Sequence, residues 1–174
     1  VDVLGPTDKM VTRFGLEEDY DEMLVCEAGA IRMDRANQGL PLLDCHNAYT
    51  VHSQLGRTVK VWINESRQLC ARVRFSSRPE VAGIFQDVVD GIVKGISVGY
   101  EIYKFEREER PNGARPIYRA IDWMPSELSL APVPADIDSG IRAGQQQHPV
   151  EIVRKQTTNT TNMKKTRATE TGKT

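Results

Sequence analysis

Alternation of apolar and polar residues at period two is the feature that most narrows what this chain can fold into. Leu69, Ala71, Val73 and Phe75 point one way along their segment, and Cys70, Arg72 and Arg74 the other. Ile96, Val98, Tyr100 and Ile102 alternate in the same manner with Ser97, Gly99, Glu101 and Tyr103. Such segments are half-buried as strands, with one face on a core and one toward solvent. Val59-Lys60-Val61-Trp62-Ile63 keeps the same period, and residues 64–68 after it read as a hairpin loop. Met23 to Ala30 reads as a buried strand, followed by a polar, Gly-bearing stretch up to Gly39. Ile117 to Trp123 and Glu127 to Val133 read as two more strands, the second ended by Pro132 and Pro134. Pro111-Asn112-Gly113, after the charged run Glu106 to Arg110, marks a solvated hairpin tip.

The period changes once to that of a helix. Val81, Ile84, Phe85, Val88, Val89 and Ile92 recur at helical spacing behind Pro79, which suits a first turn, with Ser77 or Arg78 at the cap and Gly95 as the stop. The expected fold is therefore α+β and β-rich, with one amphipathic helix just before the Ser97 strand.

Composition removes several function classes. The 174 residues carry 23 basic and 24 acidic side chains, a net charge of -1, so no general attraction to nucleic acid is expected. No apolar run approaches the roughly 20 residues that span a bilayer, and no secretory signal opens the chain, so a cytosolic protein without a membrane partner is expected. Cys26, Cys45 and Cys70 are widely spaced and odd in number, which points to thiols, Cys45 and Cys70 as small core or semi-buried residues, and no zinc. From Gly144 the composition turns to Gln, Thr, Asn and Lys, so the expected organisation is one domain over 1–143 and a polar, flexible tail or linker over 144–174. Because it starts at Val1, the domain is expected to be truncated at its N-terminus.

Within this frame Gly95-Ile96-Ser97-Val98-Gly99-Tyr100 places a small hydroxyl between two glycines, on the strand face opposite the apolar set. Serine is a weak nucleophile unless a base lies within hydrogen-bond reach and a third group orients that base. A base is available in His46 of Leu42-Leu43-Asp44-Cys45-His46, with His52 in a more polar run and His148 in the polar tail as competitors. A carboxylate is available in Glu127 of Pro125-Ser126-Glu127-Leu128-Ser129-Leu130, where it shares a face with Ser129 and Ala131; Asp122 and Asp44 are rivals for that role. Cys45 beside His46 does not suit a cysteine nucleophile, because neighbours on an extended chain point to opposite faces. Each group alone is more simply a packed or solvated residue; Arg72 and Arg74 read as solvated strand residues.

Taken in order, Pro-Leu-Leu-x-x-His, the helix running into residues 90–100 and Glu127-Leu128-Ser129-Leu130-Ala131-Pro132-Val133-Pro134-Ala135-Asp136 resemble the prohead (capsid maturation) proteases of tailed bacteriophages, the HK97-type family. The resemblance covers roughly Met23 to Asp136. It implies a herpesvirus-assemblin-like β-barrel with flanking helices and a serine endopeptidase that needs no metal or organic cofactor. It also implies Ser97 as nucleophile, His46 as general base and Glu127 as the orienting acid, with His52 as a rival because related assemblins use a second histidine. Substrates and partners would be scaffold segments, the major capsid protein and the enzyme itself, with self-cleavage between about Gly144 and Lys173. The place of action would be the assembling prohead in the bacterial host cytoplasm, and some relatives are fused to the capsid protein. A non-catalytic capsid-assembly module of the same fold is the alternative.

Overall fold

The computed structural model describes residues 1–6, 10–15, 18–132 and 151–154. Among them the strands are β1 (Asp2–Leu4), β2 (Met10–Arg13), β3 (Tyr20–Leu24), β4 (Pro41–Asp44), β5 (Gln54–Ile63), β6 (Leu69–Phe75), β7 (Ile96–Glu108), β8 (Ile117–Leu130) and β9 (Glu151–Arg154). Two α-helices, α1 (Asp34–Gln38) and α2 (Pro79–Val89), accompany them.

The spine of the sheet is the antiparallel β7–β8 hairpin, paired from Ile96 opposite Leu130 to Glu108 opposite Ile117. The far edge of β8 is shared by two partners. β3 runs parallel to its first residues and β4 parallel to its last. Between them the Arg32 N–H donates to the Trp123 carbonyl at 2.8 Å and the Trp123 N–H to Ala30 at 2.9 Å, so residues 30–32 satisfy the middle of the strand. From β4 the sheet continues through β5 and β6 to β1, and from β3 to β2; β9 lies parallel on the outer edge of β7.

The β-rich α+β expectation holds, but the strand order is that of an open, curled sheet. The main path begins with β1 and ends with β2, and among the described residues no ladder joins these two into a barrel. Curling still brings distant strands together. Leu69 of β6 packs in one cluster with Phe105 of β7, Ala120 and Trp123 of β8 and Leu24 of β3. A second cluster, of Leu42, Leu55, Ala71, Val73, Leu128 and Leu130, is covered by α2 through Val81. Trp123 is fully buried and donates its indole N–H to the Val25 carbonyl at 2.9 Å.

Several expected boundaries move, each for a local reason. The strand expected over Met23–Ala30 starts and ends earlier: Val25 and Cys26 are buried beyond β3, and residues 27–30 turn through an Ala30 N–H bond to Glu27. The polar stretch before Gly39 contains α1, whose single turn buries only Ala36 and so leaves no periodic signal. The two strands expected on either side of Pro125 are one strand, β8. Pro125, which lacks an N–H, sits opposite Tyr100 where the ladder shifts register, and such a bulge does not require that donor. In β5 another irregularity lies between Thr58 and Lys60; Val59 is exposed there, while Thr58 is buried and accepts the Leu40 N–H at 2.7 Å. α2 starts at Pro79 with Arg78 as its cap but stops before Gly91, not at Gly95, because Gly91 takes a φ of 72° and reverses the chain. Its apolar stripe is divided: Val81 is buried and Ile84 and Val88 are partly so, whereas Phe85, Val89 and Ile92 are exposed. Cys26 and Cys70 are buried, but Cys45 is exposed rather than part of the core, because it lies on a turn. The segment expected as a tail includes β9; the rest of it, with His148, lies outside the described residues, as do Pro134, Ala135 and Asp136.

Trp123 joins β3, β7 and β8, so Trp123→Ala is expected to cost about 3–5 kcal/mol, read as a lower urea midpoint at an unchanged slope.

Candidate active site

The site lies where β4 meets the ends of β7 and β8. β4 pairs with β8 only through Asp44, opposite Leu130, after which the chain turns sharply. Cys45 and His46 both adopt positive φ, 47° and 60°, a region that side chains with a β-carbon seldom occupy. Two backbone bonds hold the turn, Cys45 N–H to the Leu130 carbonyl at 3.0 Å and Asn47 N–H to Asp44 at 2.9 Å. Because neither residue is extended, the turn rather than strand alternation separates their side chains: Cys45 is exposed and the His46 ring is largely covered.

The β7–β8 register supplies the other groups. Ser97 stands opposite Ser129, and Gly99 opposite Glu127. Directly opposed residues of an antiparallel pair project to the same face, so Ser97, Glu127 and Ser129 share one face. Ile96, Val98, Leu128 and Leu130 take the other and enter the core. On the polar face the His46 Nδ1 contacts Glu127 Oε1, with 15% and 12% of the two side chains exposed. Ser129, fully buried, donates from Oγ to Glu127 Oε2 at 2.7 Å and accepts the His46 backbone N–H at 2.9 Å. Gly99 leaves room for this arrangement: a β-carbon there would overlap Glu127 Oε1 and lie 2.8 Å from its Cδ.

The structure thus brings His46 and Glu127 into contact on the face that Ser97 occupies, and it gives the rivals other tasks. Asp122 takes a two-point hydrogen bond from Arg32, whose guanidinium lies 3.7 Å from the Tyr103 ring centroid. Asp44 is exposed. His52 is exposed on a one-turn helix over Val51–Ser53, its backbone N–H donating to the Thr50 hydroxyl. Arg72 pairs with Asp2, and Arg74 faces Arg57 across the β5–β6 ladder. Sequence reasoning placed Ser129 on the Glu127 face and gave it no task; spacing of two from the carboxylate was the signal present.

Behind the site, Arg13 donates to Glu22 at 3.0 Å and to the Tyr100 hydroxyl at 2.6 Å, while Tyr100 donates to Glu22 and its ring packs edge-on against Trp123. Burial, followed by the nearby Glu22 charge, pushes the Tyr100 phenol far above its usual range, so it remains a neutral donor. The network ties β2 and β3 to β7 one residue past Gly99.

Comparison with known proteins finds a relative among phage proteins. The chain is 37% identical over 120 residues to the major capsid protein of Halomonas phage phiHAP-1. It is similar to a phage capsid protein. The alignment covers 69% of this chain and 20% of the relative, so the chain spans about a fifth of the length of the protein it matches. The relative carries a capsid name, not a protease name. No family model matches the chain, and no solved structure does.

In histidine-ring NMR, Glu127→Gln is expected to shift the His46 ring resonances. Asp122→Asn and His52→Ala are expected to leave them in place, since neither side chain contacts that ring.

Proposed function

We propose that this chain is a serine endopeptidase domain of a phage capsid-related protein, cleaving scaffold and capsid-protein segments, and itself, during prohead maturation. The observation that carries the reading is the His46 Nδ1 contact with the Glu127 carboxylate on the face of the sheet that presents Ser97. With Nδ1–H directed at the carboxylate, the neutral ring keeps its lone pair on Nε2, the nitrogen a base needs.

In this mechanism the Ser97 Oγ attacks the scissile carbonyl as His46 takes its proton. His46 then returns the proton to the leaving amine, and water releases the acyl group by the same steps in reverse. Glu127 holds the ring in one tautomer and stabilises the imidazolium formed during attack. Backbone N–H groups of the chain leading from α2 into the Ser97 strand would receive the oxyanion, each contributing on the order of 3 kcal/mol. None of these steps calls on a metal or organic cofactor.

The capsid name of the relative and its greater length fit a protease domain joined to a shell-forming one, acting inside the assembling prohead in the host cytoplasm. The same name favours a second reading, a non-catalytic assembly module that binds capsid or scaffold chains. Co-expression with the cognate capsid polypeptide, followed by intact mass, separates the two. The parent is expected to cleave and Ser97→Ala to lose roughly a millionfold in turnover. Equal cleavage by both removes Ser97 from the mechanism, and assembly without cleavage by either supports the module.

A further inference from the structure

We propose that Ser129 is a positioning residue that holds the base and its carboxylate from a single oxygen, with the bare backbone of Gly99 as the seat for that carboxylate. The proposal rests on the endopeptidase reading of Ser97, His46 and Glu127.

The argument begins with the hydrogen-bonding capacity of a hydroxyl, one donor and two acceptor lone pairs. A backbone N–H can only donate, so the 2.9 Å contact from the His46 N–H makes Ser129 Oγ an acceptor. An ionised carboxylate can only accept, so the 2.7 Å contact with Glu127 Oε2 takes the hydroxyl proton. The polarity of the group is thereby fixed. Once Oε2 is held, Oε1 is the oxygen left for His46, and its contact with Nδ1 selects the Nδ1–H tautomer. Ser129 Oγ also fastens the backbone of His46, a residue kept at a φ of 60°. Ring and carboxylate are thus referred to one buried atom, so their separation does not depend on two long side chains finding each other.

Gly99 completes the device from the other side. A side chain there would displace the Glu127 carboxyl group, so the second glycine of the Gly-x-Ser-x-Gly stretch serves Glu127 rather than Ser97 itself. Ser129 is fully buried, so removing it costs two hydrogen bonds made by a buried oxygen. Removing the hydroxyl leaves the His46 N–H without its acceptor and lets the carboxylate turn away from the ring.

The test uses the full chain labelled with 15N at histidine. The parent is expected to give a His46 ring in the Nδ1–H form with a downfield Nδ1 proton. Ser129→Ala is expected to lose that proton signal, to populate the Nε2–H form and to slow capsid-polypeptide cleavage on the order of a hundredfold, as misplacement of a base by about 1 Å does. Ser129→Thr, which keeps the hydroxyl, is expected to restore both. An alanine variant that keeps the Nδ1–H signal and the parental rate overturns the proposal. If Ser129→Ala does not fold, Gly99→Ala leaves the hydroxyl intact and attacks the carboxylate seat; retention of the signal there overturns it equally. Failure of the endopeptidase reading is distinguishable. It appears as unchanged cleavage by Ser97→Ala, whereas the ring spectra of Ser97→Ala with and without Ser129→Ala still report on the clamp.

Discussion

Register along the β7–β8 ladder is the constraint on which the rest of the structure depends. It sets Ser97 against Ser129 and Gly99 against Glu127. A slip of one residue would send those side chains into the core and Ile96, Val98, Leu128 and Leu130 into solvent. Burial of these four side chains in the cluster under α2 opposes that slip, since each is worth roughly 1.5–3 kcal/mol when fully removed from water. The site is therefore aligned by the hydrophobic face of the strands that carry it. Irregularity in the ladder begins only past Gly99, so the two polar pairs lie in a regular stretch.

The second requirement is delivery of a histidine from another strand. β4 reaches β8 in parallel and ends at Asp44. The turn after it uses two consecutive positive-φ residues, neither of them glycine. Such a conformation costs on the order of 1–2 kcal/mol per residue, and it persists where the surroundings determine it. Here they include the Leu130 carbonyl, the Ser129 hydroxyl and the Glu127 carboxylate, all on the last residues of β8. Strain at a site and bonds that hold it are expected together where geometry serves chemistry.

The strand faces of the candidate groups were legible because they depend on residue type and period. Alternation put Ser97 on the face away from the apolar set, and Glu127 and Ser129 on one face of a strand. Less of the architecture was legible. α1 is too short to show a period, and Pro125 reads as a strand breaker unless the bulge that accommodates it is seen. Gly91 and Gly95 are equally good helix stops by composition, and only the backbone angles separate them. Which of Glu127, Asp122 and His52 contacts His46 was beyond periodicity. It turned on Arg32, far away in sequence, taking Asp122, and on His52 lying in an exposed turn.

The amino-acid order by itself determined the β-rich character, the helix before the Ser97 strand and the set of candidate polar groups, because these follow from local period and side-chain chemistry. Tertiary structure alone decided which histidine meets which carboxylate, the partners of Ser129, the close approach of Glu127 to Gly99 and the open course of the sheet. Those facts depend on contacts between segments some 80 residues apart, as between His46 and Glu127, and local propensity carries no information about them.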